Sequence, residues 1–164
     1  MAKTPRNRNF LQINGFEFVL QKTPSLEFFV QGVTIPSITL PDVRIPNPLI
    51  DIKEQGEIGS FSDLEVVFIA DEDLKTWEEL FTWFSEVAFP IDSKQRKSRS
   101  EIFSDITIVV QTSHHNSNFQ YKFTDTFPNN VSTLSLRVTD QDVQFLTFSA
   151  TFSFTNILFD RIRK

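Results

Sequence analysis

The 164-residue chain contains no cysteine, one methionine, one tyrosine and two histidines. The absence of cysteine excludes disulfide bonds, thiolate nucleophiles and cysteine-based zinc sites. The four glycines are scattered, so the sequence has no glycine-rich phosphate-binding loop. No apolar run approaches the ~18 residues of a membrane-spanning helix, and residues 1–8 lack the apolar segment of a signal peptide. We therefore expect no membrane partner.

The polar residues of the sequence do not form a recognisable catalytic site. His114 and His115 are adjacent, and in an extended segment they point to opposite faces, so they cannot chelate one ion together. The acidic run Asp71–Asp73 lacks the glycine and the distal glutamate of a calcium-binding loop, which favours a role in helix capping. A hydrolase would need a pair of carboxylates, and no pair can be nominated. We predict no enzyme activity, no catalytic residue, no metal and no cofactor.

Phenylalanine is abundant, with 19 copies, and much of the chain alternates between apolar and polar residues. Between Leu146 and Phe154, apolar side chains alternate with serine and threonine, which predicts a strand with one core face and one hydroxyl face. A second alternating strand is predicted within residues 61–70. The fold class expected is α+β and mainly β, with two packed antiparallel sheets in a sandwich or open barrel. We expect a single domain over residues 1–164.

One amphipathic helix is predicted over about residues 73–88, and Pro90 ends it. Apolar residues recur at spacings of three and four, which is typical of a helix that packs one face on a core. The acidic residues before the helix match the positive end of its dipole. We expect the helix to cover an edge or opening of the sheets. The inward residues expected are Trp77, Phe81 and Phe84, and the outward residues expected are Glu78, Glu79 and Glu86.

Four prolines fall between Pro36 and Pro48, interleaved with isoleucine, leucine and valine. Proline lacks the N–H of a sheet ladder, so this segment cannot be a central strand. We predict a long extended arm over about residues 35–58, which leaves the domain and returns as residues 49–58. Its apolar side chains either dock on another copy or fold back onto their own domain. The interface residues expected in the arm are Ile35, Ile38, Leu40, Val43 and Ile45.

Charge is distributed unevenly around the net value of −5. Residues 51–86 contain eleven acidic residues and two lysines, a net charge of −9, while basic residues collect at 3–8, 94–99 and 161–164. Such sorting favours contacts between copies or a surface kept negative, although a solvated acidic face would give the same pattern. The basic segment 92–100 has no interleaved aromatic residues, which argues against a nucleic-acid site.

Three stretches together resemble the tail tube protein family of contractile-tailed bacteriophages. They are residues 28–36 (FFVQGVTIP), residues 61–74 (FSDLEVVF through DEDL), and residues 127–134 with the strand 146–154 (LTFSATFSF). They cover most of residues 28–155 in the expected order. The basic segment 92–100 and the tail 160–164 have no counterpart in this resemblance.

The resemblance implies hexameric rings that stack into a hollow tube, through which viral DNA passes during infection without sequence-specific binding. Its implied partners are other copies of the chain, the sheath, and baseplate or neck proteins, in a virion tail assembled in the host cytoplasm. The type VI secretion tube shares the implied fold. Two alternatives stay open: a specialised ring protein at the baseplate or neck end, and a β-barrel module that binds an apolar ligand.

A conduit for DNA should have a polar, acidic wall, because neutralising phosphates with basic residues produces tight, salt-dependent retention. The polar faces of the strands are expected to line this lumen. The acidic candidates for the lumen wall are Asp51, Glu54, Glu57, Asp63 and Glu65.

Overall fold

The computed structural model describes residues 10–11, 14–89, 98–136 and 145–162, which form eleven strands and three helices. The strands are β1 (Phe16–Leu20), β2 (Val30–Thr34), β3 (Ile38–Thr39), β4 (Asp42–Ile45), β5 (Ile52–Gln55), β6 (Ser60–Phe61), β7 (Leu64–Ile69), β8 (Ser104–Gln111), β9 (Ser117–Val131), β10 (Thr147–Ser153) and β11 (Asn156–Arg161). The helices are α1 (Ser25–Phe28), α2 (Lys75–Ala88) and α3 (Arg99–Ile102). The expected single helix corresponds to α2, and the other two have four residues each.

Seven strands form one antiparallel sheet in the order β1-β8-β9-β10-β7-β2, with β11 beside β9. The 15-residue strand β9 pairs with β8 and β11 along its first part and with β10 along its last part. The ladder between β8 and β9 shifts near Asp125, whose φ of 53° is left-handed. The sheet therefore folds at β9 into two facing halves. This confirms two packed antiparallel layers, and the sheet is open, not a closed barrel.

The hydrophobic core lies between the two halves of the sheet. Phe18 of β1 meets Phe68 of β7 edge to face at 6.3 Å between ring centroids, and Phe68 stacks on Phe148 of β10 at 5.4 Å. Phe148, Ala150 and Phe152 are buried, while the serine and threonine residues between them face away. The alternation predicted between Leu146 and Phe154 is confirmed in β10, and each buried phenylalanine contributes ~1.5–3 kcal/mol of transfer free energy. This strand is followed by one more, β11.

The start of α2 is set by a carboxylate that lies outside the helix. Asp71 Oδ1 accepts hydrogen bonds from the backbone N–H of Thr76 at 3.1 Å and from its hydroxyl at 2.8 Å, while Leu74 takes a left-handed φ of 54°. Burial of the Asp71 carboxyl raises its pKa, but the hydrogen bonds from Thr76 and neighbouring backbone groups outweigh this, so its pKa is lowered overall. The predicted capping role is confirmed for Asp71.

The inward face of α2 is rotated from the one predicted. Leu80 and Trp83 are fully buried, and the indole N–H of Trp83 donates to the carbonyl oxygen of Ile102 at 2.7 Å. Phe81 is 48% exposed, so its assignment to the helix core is wrong. Its ring stacks at 4.9 Å on Trp77, which is half-buried, as is Phe84. Of the predicted outward residues, Glu78 is exposed, whereas Glu79 and Glu86 are half-buried.

The helices of the described ranges include none that is long and apolar enough to cross a membrane.

Of the basic segment predicted at residues 92–100, residues 92–97 lie outside the described residues. Its last residues begin α3, where Ser98 and Glu101 form a capping box: the Ser98 side chain accepts from the Glu101 backbone, and the Glu101 side chain accepts from the Ser98 backbone.

Candidate assembly surfaces

The segment predicted as an extended arm is a hairpin paired with itself. Strand β3 pairs with β6 and strand β4 pairs with β5, with residues 46–51 at the tip. Pro41 lies between the two ladders, while Pro46 and Pro48 lie at the tip, so no ladder bond needs the N–H that proline lacks. Gly56 donates to the Pro41 carbonyl at 2.7 Å, and a Cβ there would lie 2.6 Å from that oxygen. The close approach requires glycine.

The outer part of this hairpin has one apolar and one polar face. Directly opposite residues of an antiparallel pair share a face, so the register places Ile45 beside Ile52 and Val43 beside Glu54. The opposite face pairs Asp42 with Gln55 and Arg44 with Lys53, and it carries an ion pair of 3.2 Å between Lys53 and Asp42. Glu54 is thus the one charged residue on the apolar face of the β4–β5 ladder.

The apolar face has no cover within the described residues of its own chain. Every residue from Ser37 to Phe61 is exposed except Gly56, and Leu49 at the tip reaches 92% exposure. The predicted interface residues Ile38, Leu40, Val43 and Ile45 all belong to this exposed hairpin, and Ile35 lies exposed just before it. Their contact with another copy stays a prediction. The hairpin also exposes apolar residues that were not predicted as interface residues: Leu49, Ile50, Ile52, Ile58 and Phe61.

The base of the hairpin is joined to the body by polar and aromatic contacts. The backbone N–H of Ser62 donates to the Ser37 carbonyl at 3.0 Å, and the backbone N–H of Ser37 donates to Ser62 Oγ at 2.9 Å. Asp63 accepts a hydrogen bond from Ser153 Oγ. Beside these groups, the ring of Phe61 lies 6.0 Å from the ring of Phe154.

The five acidic lumen candidates are all exposed, and they fall into two groups. Asp51, Glu54 and Glu57 belong to the hairpin, whereas Asp63 and Glu65 lie at the start of β7. Glu54 lies on the apolar face of the β4–β5 ladder and is therefore not part of a purely polar surface. Whether any of the five faces a lumen stays a prediction.

A polar surface follows the outward side of β10 and β7. Thr151 lies directly opposite Glu65, so the two side chains share one face, together with Ser149 and Ser153 on the same strand. This hydroxyl face turns away from the core residues Phe148 and Phe152. The surface combines these short polar side chains and Glu65 with the half-buried Val67 and Ile69, which lie opposite Ser149 and Thr147. Its place in a lumen wall stays a prediction.

The described ranges contain no group of three or more histidine or acidic residues placed to hold a metal ion. His114 and His115 lie exposed in the turn between β8 and β9, where His115 has a left-handed φ of 56°. A cleft of about 410 Å³ beside α2 is lined by Lys22, Ser25, Trp83 and acidic residues of the helix. Another, of about 470 Å³, has a more apolar lining that includes Phe10, Leu11, Ile35, Val110, Phe119 and Tyr121.

The architecture is shared with chains of contractile injection systems. The chain matches one from the sheath-tube complex of the PVC extracellular contractile injection system with a TM-score of 0.63, 14% identity and 94% of both chains covered. A chain from the anti-feeding prophage cap matches with a TM-score of 0.64 and 9% identity, covering 97% of this chain and 96% of that one. A chain from the anti-feeding prophage baseplate matches at 0.56 and 10% identity over the full length of both. The chain therefore shares its fold with chains of these contractile injection systems.

The sequence matches the family model of the phage tail tube protein over residues 3–159. The chain belongs to the phage tail tube protein family, which confirms the resemblance drawn from its sequence. No curated protein sequence gave a significant match.

Proposed function

We propose that the protein is the subunit of a phage tail tube, in which hexameric rings stack into a hollow conduit for DNA. The observation that carries this proposal is the hairpin between Ser37 and Phe61, whose apolar face is not covered by the described residues of its own chain. Exposed apolar surface of this extent is typical of a protein–protein interface. The partner we assign to the hairpin is a neighbouring copy of the same chain.

The hydroxyl face of β10 and β7 is the proposed lumen wall. Its serine and threonine residues and Glu65 offer no positive charge to phosphate, so DNA would slide without adhering. The matching sheath-tube and baseplate structures support sheath and baseplate proteins as partners of the assembled tube. We infer that assembly occurs in the host cytoplasm and that the product is part of the virion tail.

A terminal ring is the second candidate function, at the cap, neck or baseplate end of the tube. It is favoured by the match to the anti-feeding prophage cap, whose TM-score of 0.64 is as high as that of the sheath-tube chain at 0.63. A repeating subunit would polymerise into long tubes, whereas a terminal protein would stop at one or a few rings.

Mass measurement of the purified protein, combined with negative-stain electron microscopy, tests the proposal. We expect a six-fold ring without added ligand and, for a repeating subunit, tubes whose length grows with protein concentration. Rings that do not lengthen at any concentration would indicate the terminal role. A protein that stays monomeric at high concentration would contradict both.

A further inference from the structure

The Asp63 carboxylate connects three neighbouring strands at the point where the hairpin meets the body. Oδ1 accepts a hydrogen bond from Ser153 Oγ at 2.9 Å, and Oδ2 accepts one from Asn129 Nδ2 at 3.2 Å. Asp63 directly precedes β7, Ser153 ends β10, and Asn129 lies in β9. Both oxygens are therefore used, and each is held by a different strand.

The Asp63 contact lies at the base of the hairpin, where a small rotation moves the tip by a large distance. Ser62, which precedes Asp63, is bonded to Ser37 on the other side of the hairpin base. From Phe61 to the tip the strand runs about ten residues, or ~30 Å at the usual rise per residue. A rotation of ~10° at the base would move the tip by ~5 Å on this rise. Small differences at Asp63 thus become large displacements of the apolar face.

We infer that Asp63 is a positioning residue, which fixes the direction in which the hairpin leaves the body and so presents its apolar face for assembly. The inference rests on the proposed function in one respect, namely that the hairpin contacts a neighbouring copy. It changes the role assigned to Asp63 from a charge in the lumen wall to an acceptor that holds Ser153 and Asn129. Its neighbour Glu65 has no such contact among the described residues and keeps the role of a surface charge.

The test measures a distance within one subunit. Because the chain has no cysteine, spin labels can be attached at Gln55→Cys on the polar face of the hairpin and at Thr82→Cys on the exposed side of α2. Pulsed electron spin resonance on unassembled subunits, separated by size, then gives the distribution of the distance between the labels. We expect a narrow distribution with Asp63 intact and one at least twofold broader in Asp63→Ala.

Three further variants keep the result interpretable. Asp63→Asn should stay narrow, because its amide can accept from Ser153 and donate to a flipped Asn129 amide. Ser153→Ala combined with Asn129→Ala should broaden the distribution as Asp63→Ala does, and adding Asp63→Ala should broaden it no further. Glu65→Ala, the matched control, should leave it unchanged.

An unchanged width in Asp63→Ala, or in the variant lacking both partners, would overturn the inference. If Asp63→Ala fails to fold, the double variant Ser153→Ala and Asn129→Ala replaces it, because the width of its distance distribution tests the same contact. The distance is measured without assembly, so failure of the wild-type protein to form rings would count against the proposed function and leave this measurement intact.

Discussion

Removing the apolar face of the hairpin should abolish assembly while leaving the subunit folded. The perturbation is the triple variant Val43→Ser, Ile45→Ser and Ile52→Ser, which changes neighbouring positions on one face of the β4–β5 ladder. None of these side chains belongs to the hydrophobic core. The melting temperature of the subunit should therefore change little.

The size of the effect follows from the exposed surface of the three side chains. Val43, Ile45 and Ile52 are 54%, 41% and 49% exposed, so about half of each side chain is available to a partner. Full burial of such a side chain is worth ~1.5–3 kcal/mol, which leaves ~1 kcal/mol each for docking, or ~3 kcal/mol for each contact between subunits. Because ~1.4 kcal/mol is a tenfold change in affinity, each contact should weaken about 100-fold.

Sedimentation velocity over a range of concentrations, together with negative-stain microscopy, measures this loss. The matched control is Asp42→Ser, Arg44→Ser and Gln55→Ser, which alters the polar face of the same ladder and should assemble normally. Assembly of the apolar-face variant at wild-type concentrations would refute the reasoning. Equal disruption by the two variants would also refute it, because the effect would then not depend on the face.

Three further predictions concern the helix, its cap and the proposed lumen wall. Trp83→Ala should destabilise the subunit by ~3–5 kcal/mol in chemical denaturation, and by more than Trp77→Ala, because only Trp83 is fully buried and bonded to Ile102; equal losses would argue against this packing. Asp71→Ala should cost ~1 kcal/mol at neutral pH. Because the folded pKa of Asp71 is lowered, this stabilisation is complete above its unfolded pKa and disappears as the pH falls through the folded value, so wild type and variant should converge in acid denaturation series. Glu65→Lys should make preassembled tubes retain DNA in a salt-sensitive way, measured by co-sedimentation, and Glu78→Lys on α2 should not; no difference between them would contradict the lumen assignment.

The strands with strict alternation could be predicted because the period of two places residues on faces directly. Around β10 the pattern placed Leu146, Phe148, Ala150, Phe152 and Phe154 on the core face. Phe148, Ala150 and Phe152 are buried, while Leu146 and Phe154, which flank β10, are half-buried. The partner strands could not be predicted in the same way. Pairing of β10 with both β7 and β9 depends on the bend in β9, where the register shift and the left-handed Asp125 leave no simple sequence pattern.

The helix shows why a face can be misassigned although the helix itself is predicted. Aromatic residues at 77, 81 and 84 form one stripe, and residues 76, 80 and 83 form another that is rotated by one position. At ~100° per residue these stripes adjoin, so hydrophobic periodicity does not separate them. The burial of Trp83 is accompanied by a hydrogen bond from its indole N–H to Ile102, a tertiary contact that the helical pattern does not contain.

The prolines and apolar residues predicted an extended arm, and its pairing into a hairpin was not predicted. The positions of the prolines indicate where backbone hydrogen bonds of a sheet cannot form. They do not indicate whether the remaining residues pair with each other. The alternation of Ile50 and Ile52 with charged residues was a usable signal for the returning strand. Positions of the lumen candidates could not be separated from sequence, since Glu54 and Glu65 look alike until register places one on an apolar face and the other beside Thr151.

The position of Glu54 also bears on how the free subunit stays in solution. If the β5 strands of two copies paired edge to edge with Glu54 opposite Glu54, the two carboxylates would lie on neighbouring strands only ~4.8 Å apart. Like charges at that spacing repel, and native proteins use such residues on exposed strands to prevent aggregation. One carboxylate among Val43, Ile45 and Ile52 therefore disfavours this edge-to-edge pairing of hairpins, while a partner with a complementary positive charge can still accept the face.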